Sequence, residues 1–220
     1  MNTPLLQLIG LTVAVAALFG GLAYWTSNRD TGRQRAIQAL AERTGWSYEG
    51  AGADFAWRLR RGAGAQEAVV FAVEPSASQS PGSRAPAFTR CLLPTAEPVQ
   101  LLLQPRAVSA ALPPGFSPIP PMVGGVYATA AAWPEVTSPE PLKGIFELRS
   151  PSPTAGADHL PATAVDRLAP YAATPAQALP VVAMTDGRLI AVIPGRALWS
   201  PEEVEAFIAL CETLSNTPAK

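Results

Sequence analysis

The sequence predicts an α+β fold: one N-terminal transmembrane helix, then a soluble domain whose mainly antiparallel sheet is covered by helices. Three observations carry this expectation. Residues Leu5–Trp25 form a single apolar run, LLQLIGLTVAVAALFGGLAYW, and the first 28 residues hold no charged side chain. Behind it, helical and extended hydrophobic patterns follow in the order helix, strands, helix, hairpin, helix, which suits helices laid on an antiparallel sheet. Asp186-Gly187 stands between two β-rich runs, the turn dipeptide of a type I′ hairpin. The expected organisation is an anchor over 1–28, one domain over 29–216 and a short tail over 217–220.

The apolar run is long enough to cross a bilayer, since 21 helical residues at about 1.5 Å each span roughly 32 Å. No Lys or Arg precedes it, and it exceeds the apolar core of a cleaved signal peptide, so an uncleaved anchor is expected. Arg29, Arg33 and Arg35 follow Trp25 closely. The positive-inside bias then puts the N-terminus outside and the domain on the cytoplasmic side of a bacterial inner membrane. Tyr24 and Trp25 fall at headgroup level, where amphipathic rings are favoured, with the three arginines completing the interface. Gly10, Ala14, Ala17 and Gly21 form a stripe of small side chains, with Gln7 at its edge. Such a stripe lets a second helix approach closely in lipid. The expected partner is an integral membrane protein or a second copy of the chain, while Leu5, Leu8, Val15, Phe19 and Leu22 face lipid.

Composition narrows the function classes. Charged residues make up 15% of the chain and the net charge is −1, which gives no basic excess for nucleic acid. Between Arg29 and Arg61, seven arginines meet four acids, a local surplus suited to anionic lipid headgroups. Cys91 and Cys211 are far apart in sequence with no CxxC, and are expected as free thiols in a reducing compartment. With His159 the single histidine, neither a metal site nor a cofactor is expected.

The domain reads as follows. Thr31-Gly-Arg-Gln34 has the form of a capping box, and Ala36, Ile37, Leu40, Ala41 and Thr44 keep helical spacing before Gly45. A helix over 32–44 is expected, with Arg33, Gln34, Glu42 and Arg43 on its wet face. Strands follow at Trp46–Glu49 and Phe55–Arg61, the latter with Phe55, Trp57 and Leu59 on one side and Arg58 and Arg60 on the other. Ala68–Val73 is apolar throughout and suits a central strand. Glu74–Pro86 reads as an exposed loop, and Phe88–Leu93 and Val99–Gln104 as a strand pair around Pro94–Pro98. Nine prolines between Pro105 and Pro141 nearly exclude regular helix there, because proline lacks a donor and clashes with the preceding turn. This stretch reads as a surface loop or insertion. Strands are expected at Val126–Ala132 and Gly144–Arg149. Ala162–Ala172 has helical spacing, Pro180–Thr185 and Arg188–Ile193 form the hairpin, and Ser200-Pro-Glu-Glu203 opens the last helix. Val204, Phe207, Ile208, Cys211 and Leu214 make that helix's apolar stripe.

Arg35, Ala39, Leu40, Gly45, Trp46 and Tyr48 carry a local pattern, a short helix followed by Gly-Trp and an aromatic. With the preceding apolar run, it resembles uncharacterised bacterial single-pass membrane-anchored domains of unknown function. That resemblance implies architecture and no activity. No nucleophile elbow, zinc-protease, phosphate-loop or dinucleotide motif occurs, and the acids Glu49, Asp54, Glu147, Asp158, Asp166 and Asp186 are scattered. Trp46, Trp57, Trp133 and Trp199 are expected in core or interface packing. The leading expectation is a non-enzymatic accessory or assembly subunit of a membrane complex, respiratory and photosynthetic complexes suiting the layout. The alternative is a membrane-tethered ligand- or signal-binding module. A cleft of about 300 Å³ or more, with aromatic lining and convergent polar groups, is the feature that favours the alternative.

Overall fold

Glycine and proline punctuate this chain, and the elements between them fall largely where hydrophobic periodicity places them. A computed structural model describes residues 30–74, 86–95, 99–106, 129–152, 160–173 and 179–215. Helix α1 covers 30–44 and buries Ile37, Leu40 and Ala41. It ends at Gly45, whose φ of 74° is the left-handed conformation glycine adopts at least cost. The Trp46 N–H then donates to the Ala41 carbonyl at 2.9 Å, closing a Schellman turn. Thr31 lies inside the helix rather than at its N-cap, because residue 30 is already helical. The expected anchor over 1–28 lies outside the described residues. None of the described helices is long and apolar enough to cross a membrane.

The strands are β1 (Ser47–Glu49), β2 (Trp57–Arg61), β3 (Ala68–Val73), β4 (Phe88–Pro94), β5 (Leu101–Pro105), β6 (Glu135–Val136), β7 (Phe146–Arg149), β8 (Val181–Thr185) and β9 (Arg188–Pro194). They form one sheet in the order β1-β2-β3-β4-β9-β8-β5-β7-β6, antiparallel at every pairing. Helices α2 (Ala162–Leu168), continued by a 3-10 turn over Ala169–Ala173, and α3 (Pro201–Ser215) share a core with α1 on one face. The α+β expectation therefore holds for the domain.

Period-two alternation decides which side chains enter that core. Trp57 and Leu59 of β2, Val70 and Ala72 of β3, Cys91 and Leu93 of β4, and Ala191 and Ile193 of β9 all join it. The opposite face carries a smaller cluster of Leu102, Val181, Ala183, Ile190 and Val192. A helical turn at 129–131 covers part of it, bringing Ala130 and Trp133. Apolar burial on both faces makes β5, β8 and β9 interior strands. The edges are the three-residue β1 and two-residue β6, too short to template another chain.

Three further expectations are corrected. Strands β4 and β5 do not pair around Pro94–Pro98, because the β8–β9 hairpin inserts between them. Its turn is as expected, with Asp186 and Gly187 at φ 50° and 74°. The described part of Val126–Ala132 is the helical turn rather than a strand. Phe55 leaves the alternation of β2, its ring lying 3.8 Å from the Arg58 guanidinium, where a cation–π contact competes with core burial. Residues 75–85 and 107–128, which hold most of the two expected loops, lie outside the described residues.

The connector from β9 to α3 is pinned from two strands. The Leu198 N–H donates to Thr89 Oγ1 at 2.8 Å, and that hydroxyl donates to the Arg196 carbonyl at 3.1 Å. Trp57 Nε1 donates to the Leu198 carbonyl at 2.9 Å. Thr89, Trp57 and Leu198 are all buried. Thr89→Val keeps the shape but strands a buried donor and a carbonyl, so a loss of about 1–3 kcal/mol is expected. Urea unfolding midpoints of variant and parent check this; equal midpoints refute the clamp.

Candidate functional site

The pinned connector, the C-terminal end of α2 and the first turns of α3 enclose a cleft of about 410 Å³. Its apolar floor is Ile193 from β9, Leu198 from the connector and Pro170 beside Tyr171. Pro170 lacks an N–H and cannot continue an α-helix, so α2 tightens into the 3-10 turn that carries Tyr171 to the cleft. Asp166 and Arg167 from α2, Arg196 from the connector, and Glu203 and Ala206 from α3 complete the wall.

Helix α3 owes its position to its start. The Glu203 N–H donates to Ser200 Oγ at 3.4 Å, and the Val204 N–H to the Ser200 carbonyl at 3.0 Å. The Ser200 hydroxyl donates in turn to Glu202, holding that carboxyl below its usual range. Glu203 does not reach back to the cap as a capping box would. It pairs with Arg196 across the cleft mouth. Both side chains are over two-fifths exposed, so the pair is weak and open to competition by a ligand.

Tyr171 is the cleft's unusual group. Burial raises its pKa from 10.0 to about 12, the Cys211 and Glu203 side chains reinforce the shift, and Arg196 opposes it. The phenol therefore stays protonated at neutral pH and can donate a hydrogen bond into the cleft. Two guanidinium groups, two carboxylates and a phenol stand above the apolar floor, so the cleft offers donors, acceptors and charge of both signs. With its pKa raised, the Tyr171 phenol serves as a donor rather than as an activated nucleophile.

Elsewhere among the described residues, several polar groups hold the structure together. Glu147, 4% exposed, pairs with Arg149, whose guanidinium also donates to the Ala131 and Trp133 carbonyls at 3.0 and 2.9 Å. That arrangement pins the 129–131 turn to the sheet. Glu49 pairs with Arg58 at 3.3 Å, and Asp186 sits in its hairpin turn. A second cleft of about 450 Å³ is mostly polar, and Arg61 and Glu212 on its wall neutralise each other at 2.5 Å. No group of three or more metal-ligating side chains occurs among the described residues. Trp46 and Trp57 lie in the main core, and Trp199 Nε1 donates to Glu74 at 2.5 Å.

Of the residues the sequence marks for the membrane, Gln7, Gly10, Ala14, Ala17, Gly21, Tyr24, Trp25 and Arg29 lie outside the described residues, as do Asp158 and His159. Arg33 is near Asp30 at 3.9 Å and 5.7 Å from the Trp199 ring centre, and Arg35 is exposed. Neither lines the cleft. Sequence reasoning missed Tyr171 and Arg196, which no local motif marks; Asp166 was noted only as one scattered acid. It also missed that Cys91 on β4 and Cys211 on α3, both fully buried, meet in the core. No family model, curated protein or solved structure matches this chain.

The Tyr171 shift has a pH signature. The folded state keeps the phenolic proton that the unfolded chain loses near pH 10, so this contribution is whole below about pH 10. It falls as pH rises to about 12 and changes no further above that. Tyr171→Phe is expected to flatten this alkaline limb in urea titrations at stepped pH. An unchanged limb shows that Tyr171 does not produce it.

Proposed function

We propose that this chain is a non-enzymatic, membrane-tethered binding module whose site is the Tyr171–Arg196 cleft. The cleft itself carries the reading: about 410 Å³ with an apolar floor, one aromatic and polar groups of both signs converging at its mouth. A ligand of matching chemistry is a small amphipathic zwitterion. Its apolar body covers Ile193 and Leu198, its anionic group displaces Glu203 from Arg196, and its cationic group meets Asp166 or the released Glu203. The apolar run Leu5–Trp25 supplies the tether, and Arg29, Arg33 and Arg35 favour the cytoplasmic side of a bacterial inner membrane.

The test is a thermal-shift titration of the full chain in detergent with free amino acids and their aromatic derivatives. Ligand at about 100 times Kd stabilises the folded state by about 2.7 kcal/mol. A saturable rise in Tm is expected, and Ala206→Trp, which fills the exposed wall, is expected to abolish it. No shift at millimolar ligand across that panel rejects the amphipathic zwitterion.

A second reading, an accessory subunit packed against integral membrane partners or its own copy, is favoured by the small-residue stripe Gly10, Ala14, Ala17 and Gly21. Under it, the helix stripe is the contact and the domain lies over the cytoplasmic side of the complex. Gly10→Ile with Gly21→Ile is expected to cut self-association of the full chain at least several-fold in a membrane two-hybrid assay. A parent with no signal, or a variant matching the parent, leaves the self-association form of this reading without support.

A further inference from the structure

Cys91 and Cys211 are free thiols, about 120 residues apart in sequence. Cys91 sits on interior strand β4, in register with Val70 and Ala191 and facing the helix layer. Cys211 lies in the buried stripe of α3, which packs on β4. Both are 0% exposed and belong to one core cluster, on two elements that pack together, and the Cys91 thiol is near enough to contribute to the Cys211 shift. Two cysteines have been brought together from distant parts of the chain by the fold alone.

We propose that Cys91 and Cys211 are an oxidisable dithiol whose intramolecular disulfide locks α3 onto the sheet. The inference does not depend on the cleft binding a ligand. The oxidant is a low-molecular-weight disulfide such as oxidised glutathione. One protein thiolate attacks it, forming a mixed disulfide and releasing one thiol. The second protein thiolate then attacks the bound sulfur, forming the Cys91–Cys211 bond and releasing another thiol. Two protein S–H bonds break, one S–S bond forms, and the two protons and two electrons leave on the two small thiols. Burial raises the Cys211 pKa well above its ordinary value, so the closed domain holds it as the unreactive thiol. Reaction therefore proceeds on transient opening of α3, and reclosure places the second sulfur against the mixed disulfide. Because α3 supplies Glu203 and Ala206 to the cleft, oxidation also immobilises one cleft wall.

The test uses the full chain in detergent, incubated with oxidised and reduced glutathione at stepped ratios, then acid-quenched and alkylated. The expected product has lost two hydrogens and both free thiols, and its digest yields one cross-linked peptide joining Cys91 and Cys211. A disulfide closing so long a loop is expected to raise Tm by about 5–10 °C. Cys91→Ala and Cys211→Ala are each expected to give neither the cross-link nor the rise. Stable mixed glutathione adducts, disulfide-linked dimers, or two thiols still free at the most oxidising ratio would each overturn the proposal. The mass of the oxidised parent protein decides the matter even where a variant fails to fold.

Discussion

A buried polar clamp at the β9–α3 connector holds the sheet, the helix layer and the cleft in one arrangement. Thr89 both accepts from the Leu198 N–H and donates to the Arg196 carbonyl, and the Trp57 indole takes the Leu198 carbonyl. Each backbone group would otherwise be stranded away from water, at a cost larger than the net worth of an ordinary hydrogen bond. The clamp joins β2 and β4 to a segment more than a hundred residues later. It fixes the backbone at Arg196 and Leu198, just before α3 begins. Cleft and helix layer thus inherit their geometry from two side chains that touch neither ligand nor solvent.

The clamp works because β9 is an interior strand. With Leu189, Ala191 and Ile193 toward the helices and Ile190 and Val192 toward the other face, β9 buries apolar groups on both sides. The β8–β9 hairpin therefore belongs in the middle of the sheet, where both faces are covered, and it separates β4 from β5. The smaller second face has its own devices. Phe71 and Phe88 meet edge to face at 6.0 Å, and Glu147 with Arg149 secures the 129–131 turn. Arg90, between Phe71 and Val192 in register, has a buried Nε without a hydrogen-bond partner among the described residues, and burial lowers its pKa.

Charge plays a lesser part in holding the domain. Arg43–Glu205 at 2.7 Å and Arg61–Glu212 at 2.5 Å tie α1 and β2 to α3, but exposed pairs of this kind contribute about 1 kcal/mol or less. Hydrophobic burial of α1, α2 and α3 on the sheet dominates, and α3 is central to it through Val204, Phe207, Leu210, Cys211 and Leu214. The same helix forms one wall of the cleft and carries one half of the cysteine pair. The two proposals therefore bear on one element.

Local chemistry in the chain was sufficient for most elements. The stop at Gly45, the Asp186-Gly187 turn, the Ser200 cap and the alternation of Trp57 and Leu59 with Arg58 and Arg60 in β2 depend only on neighbouring residues, and each was legible. The apolar opening run and its arginine flank likewise mark an expected anchor from sequence alone, although that segment lies outside the described residues. Long-range features were not legible. A hairpin's place in a sheet depends on which strands need cover on both faces, which no local pattern states. Phe55 lost its expected core position to a cation–π contact with Arg58. Tyr171 with Arg196, and Cys91 with Cys211, are separated in sequence by about 25 and about 120 positions. The sequence by itself determined most of the elements, the Gly45 stop, the hairpin turn, the Ser200 cap and the apolar stripe of α3, because those follow from nearest-neighbour backbone and side-chain chemistry. Only the tertiary structure decided the strand order, the cleft and the meeting of the two thiols, because close packing brings together residues that share no local signal.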